Sequence, residues 1–140
     1  MRAPRFLARL LRIRELEEER SRLELEAAVR EQNRIASALE EAVRHEAQAR
    51  RDFASGVSDM DAAGRAAAVI EMERSRRQQD FFELMLNSVE SEVIRRRREF
   101  RTCQTEKEQV EELLHKEKAN LQDKADRRAH QLLDDWYARR

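Results

Sequence analysis

The sequence predicts an all-α fold: two long helices forming an antiparallel coiled-coil hairpin with a C-terminal helical overhang. Charged residues make up 41% of the chain and aromatic residues 5%, a composition that cannot fill a compact core but can fill a narrow helical seam. Apolar residues recur at helical spacing in both halves of the chain. Both glycines lie within residues 54–64, and the single proline, Pro4, stands where a helix can begin. We therefore expect residues 1–140 to form one elongated coiled-coil domain.

Helix one is predicted for about residues 5–54 from a narrow, Ala-rich stripe. One row of this stripe recurs every seven residues and consists of Leu25, Gln32, Leu39, Glu46 and Phe53. Small and branched apolar residues run beside it: Ala28, Ile35, Ala42, Ala49, Val29, Ala36 and Val43. Upstream, we expect the stripe to pass through Leu7, Leu11, Leu16 and Leu23 with a local slip in register.

A break follows in "ASGVSDMDAAG", residues 54–64, which contains both glycines and two serines. We predict the turn at about residues 55–61, with Asp59 and Asp61 as candidate N-caps of the next helix. The alternative is one continuous helix that pairs with a second copy, since a glycine inside a helix costs only about 1 kcal/mol.

Helix two is predicted for about residues 61–138 from a heptad seam with a few polar interruptions. Its members alternate in steps of four and three: Phe82, Leu86, Val89, Val93, Arg96, Phe100, Cys103, Lys107, Val110, Leu114, Glu117 and Leu121. We expect the stem of Arg96 to pack in the seam while its charged head reaches solvent.

The length of helix two exceeds that of helix one, which predicts the overhang. If the turn centres near residue 57, the numbers of facing residues add up to roughly 115. Residue 5 then faces about residue 110, and about 30 residues, or about 45 Å, have no partner within the chain. This part of the helix carries Leu113, Leu114, Leu121, Leu132, Leu133, Trp136 and Tyr137. Exposed apolar surface of this kind usually marks a docking site.

Charge and reactive residues exclude several classes of function. The 29 basic and 29 acidic residues cancel, which argues against a general nucleic-acid binder. His45, His115 and His130 are dispersed, and Cys103 is the single cysteine, so we expect no zinc site and no internal disulfide, and we expect a reducing cytosol. A two-helix fold offers no pocket to shift carboxyl pKa values. We predict a non-enzyme with no catalytic residues, cofactor, metal or small-molecule ligand.

The N-terminal segment "RFLARLLRIR" has a second interpretation. Residues 1–14 contain five arginines and no acidic residue. Such a segment could also be a transit peptide or a helix that lies on a membrane surface. No apolar run approaches the roughly 20 residues that span a bilayer, so we expect no stable membrane insertion.

Three segments together resemble the flagellar FliJ family. They are "RFLARLLRIRELEEERSRLELEAAVRE" near the N-terminus, "EKEQVEELLHKEK" at residues 106–118, and the closing "LLDDWYARR". The break near the two glycines falls where that family makes its hairpin turn. The acidic pair is Asp134–Asp135 where the family has Asp–Glu, a mild departure. The YscO-type proteins of virulence secretion systems share this design.

The resemblance implies a stalk protein of a bacterial type III export apparatus, cytoplasmic and peripheral at the inner face of the cell membrane. It would insert into the hexameric export ATPase, contact the export-gate membrane protein and escort export chaperones. From the charge cluster and the overhang, we predict an ATPase-binding set: Arg5, Arg9, Arg12, Leu133, Asp134, Trp136 and Arg139. The family places its gate-binding surface near the start of helix two, which here corresponds to Val69, Ile70, Met72 and Phe81.

The sequence leaves three alternatives open. Phe81 and Phe82 could lie in the hairpin seam and take no part in a gate contact. The chain could be a structural spacer whose apolar tail drives self-association, whereas the stalk interpretation predicts a monomer when the chain is alone. It could also be a membrane-surface adaptor that uses "RFLARLLRIR".

Overall fold

A computed structural model describes residues 2–58 and 61–139. Helix α1 runs from Arg2 to Ser58 and helix α2 from Ala62 to Ala138. The two helices pack against each other in antiparallel directions, and no strand occurs in the described ranges. The predicted fold, an all-α helical hairpin, is therefore confirmed. Within those same ranges, neither helix combines the length and hydropathy needed to cross a membrane.

The connection between the helices is short because α1 continues past the glycine at position 56. Asp61 then caps α2: its Oδ1 accepts a hydrogen bond from the Gly64 N–H at 3.0 Å, which satisfies one of the free N–H groups of the first turn. This confirms the N-cap predicted at Asp61, whereas Asp59 lies outside the described residues. Gly56 is buried against α2, where a Cβ atom would lie only 2.9 Å from the Cγ of Arg65. A Cβ atom here would push the Arg65 side chain aside, so the glycine favours close approach of the two helices.

Contacts divide the chain into two units, and the first comprises residues 23–97. Its seam is narrow and rich in small residues. Besides Gly56, the buried residues among the described members of this unit are Ile35, Ala42, Ala49, Ala68, Ser75 and Val93. The heptad row predicted from Leu25 to Phe53 is half-buried, as are Phe82, Leu86 and Val89 of α2. Val43 is an exception, since nearly half of it is exposed.

The second unit comprises residues 1–22 and 98–140. On α2 its seam follows the prediction: Val110 and Leu114 are buried, and Phe100, Cys103 and Lys107 are half-buried. On α1 the prediction is wrong beyond Leu11. The predicted register slip does not occur, and Leu16 points to solvent with about two thirds of its surface exposed.

Polar residues continue the strict heptad in place of those leucines. Arg14 and Glu18 are half-buried and Ser21 is buried. Arg14 binds Glu106 of α2 at 3.0 Å, and Glu18 binds Lys107 at 2.9 Å. The sequence-based prediction followed the leucines, whereas the helix keeps its register because each seam charge has an opposite charge facing it. Leu23, in the other unit, is likewise about half exposed.

The register of the hairpin also differs from the prediction. The residue numbers of side chains that pair across the two helices add up to 120 or 125 rather than 115: Arg14 with Glu106, Glu18 with Lys107, Glu24 with Arg96, and Glu46 with Gln79. Val110 and Leu114, which were expected at or beyond the last partner, are only 5% and 9% exposed. The overhang is correspondingly shorter. Leu121 is half-buried and residues 122–139 are all exposed, a length of about 27 Å at 1.5 Å per residue.

Candidate docking surfaces

The exposed end of α2 carries the first candidate surface, which we call the tail: residues 122–139. Its four largest apolar side chains each expose half or more of their surface; they are Leu132, Leu133, Trp136 and Tyr137. The rings of Trp136 and Tyr137 meet edge to face, with centroids 5.2 Å apart and planes at 74°. The contact places two amphipathic rings side by side, and side chains of this kind often anchor interfaces.

The apolar face of the tail does not continue the hairpin seam. Extending the heptad spacing from Leu121 leads to Arg128, Gln131 and Asp135, which are polar. Leu132 and Trp136 each come one residue later, about 100° further round the helix at 3.6 residues per turn. The tail therefore presents a face of its own, separate from the one that α2 uses inside the hairpin.

The predicted ATPase-binding set occupies two places rather than one. Arg5, Arg9 and Arg12 are exposed on α1, and Leu133, Asp134 and Arg139 are exposed in the tail. By the observed register, Arg9 faces residues near 111–116 of α2. Trp136 lies at least 20 residues further along, or about 30 Å. The structure thus exposes all seven residues of the set but does not bring its two halves together.

A second surface lies beside those arginines, within the segment "RFLARLLRIR" that the sequence also allowed as a membrane-surface helix. Phe6, Ile13 and Leu16 each expose more than half of their surface, whereas Leu7 and Leu11 are half-buried toward α2. We call the exposed side the N-terminal outer face: Arg5, Phe6, Arg9, Arg12, Ile13 and Leu16. Phe6 and Ile13 stand seven residues apart, each one position before a seam residue. This one-residue offset from the seam is the sequence signal that both side chains lie outside the hairpin seam.

Behind this face, the seam of the same unit is held by charge. The hydrogen bond to Glu17 raises the pKa of the Arg14 guanidinium, and the hydrogen bond to Glu18 raises the pKa of Lys107. Both cations therefore keep their charge across the ordinary pH range. Burial raises the pKa of the neighbouring Cys103 thiol, so this cysteine is a poor nucleophile at neutral pH.

The predicted gate-binding residues divide between the surface and the seam of the unit at 23–97. Val69, Ile70 and Phe81 are exposed, but Met72 is half-buried at a seam position. Phe82 is also in the seam, while Phe81 turns outward with its ring 5.7 Å from that of Phe82. The seam alternative therefore holds for Phe82 and not for Phe81. Leu84 is 72% exposed and was not predicted to belong to this patch.

Together these features define a class: a two-helix antiparallel coiled coil whose apolar residues are divided between an internal seam and exposed helical faces. Faces of this kind serve contacts with other molecules. Comparison of the chain with protein-family models, curated proteins and solved structures found no significant match.

Proposed function

We propose that this protein is a non-enzymatic coiled-coil stalk of a bacterial flagellar or related type III protein export apparatus. In this role it inserts into the hexameric export ATPase and promotes its activity, contacts the export gate, and escorts export chaperones. It works in the cytoplasm and becomes peripheral at the inner membrane face through the gate. The resemblance of three segments to the FliJ family supports the proposal, and the exposed tail is the single observation that carries it.

The tail suits a shaft held in a ring. Aromatic residues dominate binding energy in interfaces, and Trp136 is half exposed beside Tyr137. Charged residues Asp134, Asp135 and Arg139 lie among them, so the contact combines apolar anchors with polar groups. We assign the ATPase contact to the tail alone, because the three N-terminal arginines lie about 30 Å from Trp136 along the hairpin.

The gate contact is proposed for Val69, Ile70 and Phe81, which are exposed in the unit at 23–97. Met72 is left out because it lies in the seam. A triple alanine variant at the three exposed positions is expected to lose binding to the cytoplasmic domain of the gate protein. Retained binding would remove this assignment without affecting the ATPase contact.

The test of the main proposal uses the cognate export ATPase. Trp136→Ala combined with Leu133→Ala should weaken ATPase binding on the order of 30-fold, the loss typical of a hot-spot truncation, and should abolish stimulation of ATP hydrolysis. The control, Gln131→Ala, changes an exposed residue on the polar side of the tail and should leave both unchanged. If the double variant stimulates hydrolysis as well as the parent chain, the tail is not the ATPase contact.

Light scattering after size exclusion separates the stalk from a self-associating spacer. A stalk is a monomer alone and joins the ATPase as one copy per hexamer. A spacer forms dimers or larger species through the tail, and the Trp136 variant makes it monomeric. This second result would replace the stalk proposal with the structural one.

A further inference from the structure

The N-terminal outer face has an unusual makeup for the solvent side of a helix in a hairpin. The side opposite the seam normally carries polar residues, and here it presents Phe6, Ile13 and Leu16, each more than half exposed. Leu7 and Leu11 are turned toward α2, so packing within the hairpin is already satisfied without these three side chains.

The same face is strongly cationic although the chain as a whole is neutral. Residues 2–14 hold five arginines and no acidic residue. Arg14 forms ion pairs with Glu17 and with Glu106 of α2. In the same segment, Arg5, Arg9 and Arg12 are exposed on the outer side. The arginine-bearing part of the face, residues 5–12, therefore favours an anionic occupant, while exposed Glu15, Glu17 and Glu19 flank Leu16 at its end.

We propose that the N-terminal outer face docks on an anionic lipid bilayer surface. Apolar side chains mixed with arginines are typical of helices that lie in the plane of a membrane interface. The aliphatic stems of the arginines rest along apolar surface while their guanidinium groups reach the lipid phosphates. Lipid binding through this face requires neither the export ATPase nor the gate. It adds a direct membrane contact to the proposed function.

Vesicle flotation of the full chain tests this directly. The chain should float with phosphatidylcholine vesicles that contain phosphatidylglycerol, stay behind with phosphatidylcholine alone, and be released by high salt. Each arginine near an anionic surface contributes about a factor of five to binding, so Arg5→Gln/Arg9→Gln/Arg12→Gln should lower partitioning about 100-fold. A chain that stays in solution with anionic vesicles, or an arginine variant that binds like the parent, overturns the proposal.

A second variant tests the apolar half of the face without touching the predicted ATPase-binding set. Phe6→Ser/Ile13→Ser/Leu16→Ser should also lose vesicle binding while its stimulation of the ATPase stays unchanged. The matched control is Leu84→Ser/Ile94→Ser, which removes two exposed apolar residues from the other unit and should float like the parent chain. All five positions are exposed, so circular dichroism should show unchanged helicity.

A fluorescence readout places the contact on the helix. In a Trp136→Phe background, Phe6→Trp should shift its emission to the blue with anionic vesicles and not with neutral ones. Two results would assign the face to another occupant and overturn the proposal: an unshifted emission while the chain floats, or dimers in the absence of lipid that disappear in the Phe6/Ile13/Leu16 variant.

Discussion

Replacing Ser75 by alanine should stabilise the protein. Ser75 is 0% exposed in the seam of the unit at 23–97, and its hydroxyl oxygen has no hydrogen-bond partner among the described residues. The surrounding seam is built from small residues, including Ala42, Ala49 and Ala68. An alanine at this position resembles the buried alanines of the seam and removes the unsatisfied hydroxyl oxygen of Ser75.

The expected gain follows from three terms. Leaving a buried hydroxyl unsatisfied costs about 1–3 kcal/mol. Alanine is also a better helix former than serine by about 0.5 kcal/mol. Removing the oxygen atom leaves a small void that offsets part of this gain, by less than the roughly 1 kcal/mol of a methyl-sized cavity. The free energy of unfolding should rise by about 1–2 kcal/mol, or about 0.5 M in urea midpoint at an m-value near 2–3 kcal/mol/M.

The assay is urea unfolding followed by circular dichroism at the helical minimum. Ser88→Ala is the matched control, because Ser88 is exposed on the same helix and in the same unit; it should gain only the helix-propensity term. Ser75→Leu should lower stability by about 1–3 kcal/mol through overpacking. If Ser75→Ala is no more stable than Ser88→Ala, the buried hydroxyl carries no penalty and this reasoning is wrong.

Three further predictions concern burial and charge. Ile35→Ala, at a fully buried seam position, should lower the free energy of unfolding by about 2–5 kcal/mol. The control Ile94→Ala, at an exposed position, should lower it by under about 0.5 kcal/mol. Equal losses in urea unfolding would contradict the assignment of Ile35 to the seam. The hydrogen bond from Gln79 lowers the pKa of Glu46 below the usual range of a glutamate. The stabilising effect of this carboxylate is therefore present above the ordinary glutamate pKa and is lost as pH falls through the lower folded value. A pH series of unfolding midpoints should show the loss, and Gln79→Ala should reduce it. Cys103, whose pKa is raised by burial, should react slowly with a thiol reagent at neutral pH and quickly in urea; a fast reaction in the folded chain would refute its placement in the seam.

The fold could be predicted from the sequence because the apolar heptad pattern of helix two is regular. The twelve residues predicted for its seam, from Phe82 to Leu121, are all buried or half-buried. The register could not be predicted as well, since the glycine at position 56 was interpreted as a break. That glycine instead continues α1 and lets α2 approach closely, which moves the turn toward the C-terminus and shortens the overhang.

The candidate surfaces were only partly predictable for a related reason. Exposure of the tail follows from counting residues, so Leu132 to Tyr137 were found. At the N-terminus the leucines suggested a seam through Leu16, but Arg14 and Glu18 hold those positions. A charge at a seam position is stable only if its partner stands opposite, and such pairs become visible only once the register is known. The outward position of Phe6 and Ile13 could not be predicted either, because it also depends on the register of α1.

The seam register also sets the order in which the chain can fold. Paired side chains near the turn are close in sequence: Gln79 and Glu46 are 33 residues apart, whereas Arg14 and Glu106 are 92 apart. Closing a short loop costs less entropy than closing a long one, and contacts that are local in sequence form first. We expect the hairpin to close from its turn outward, so that pulse-labelled amides near Ala49 and Ala68 gain protection before those near Leu11 and Val110. The reverse order would contradict this. A chain that closes in this way completes the pairing of its N-terminal arginine-rich segment last.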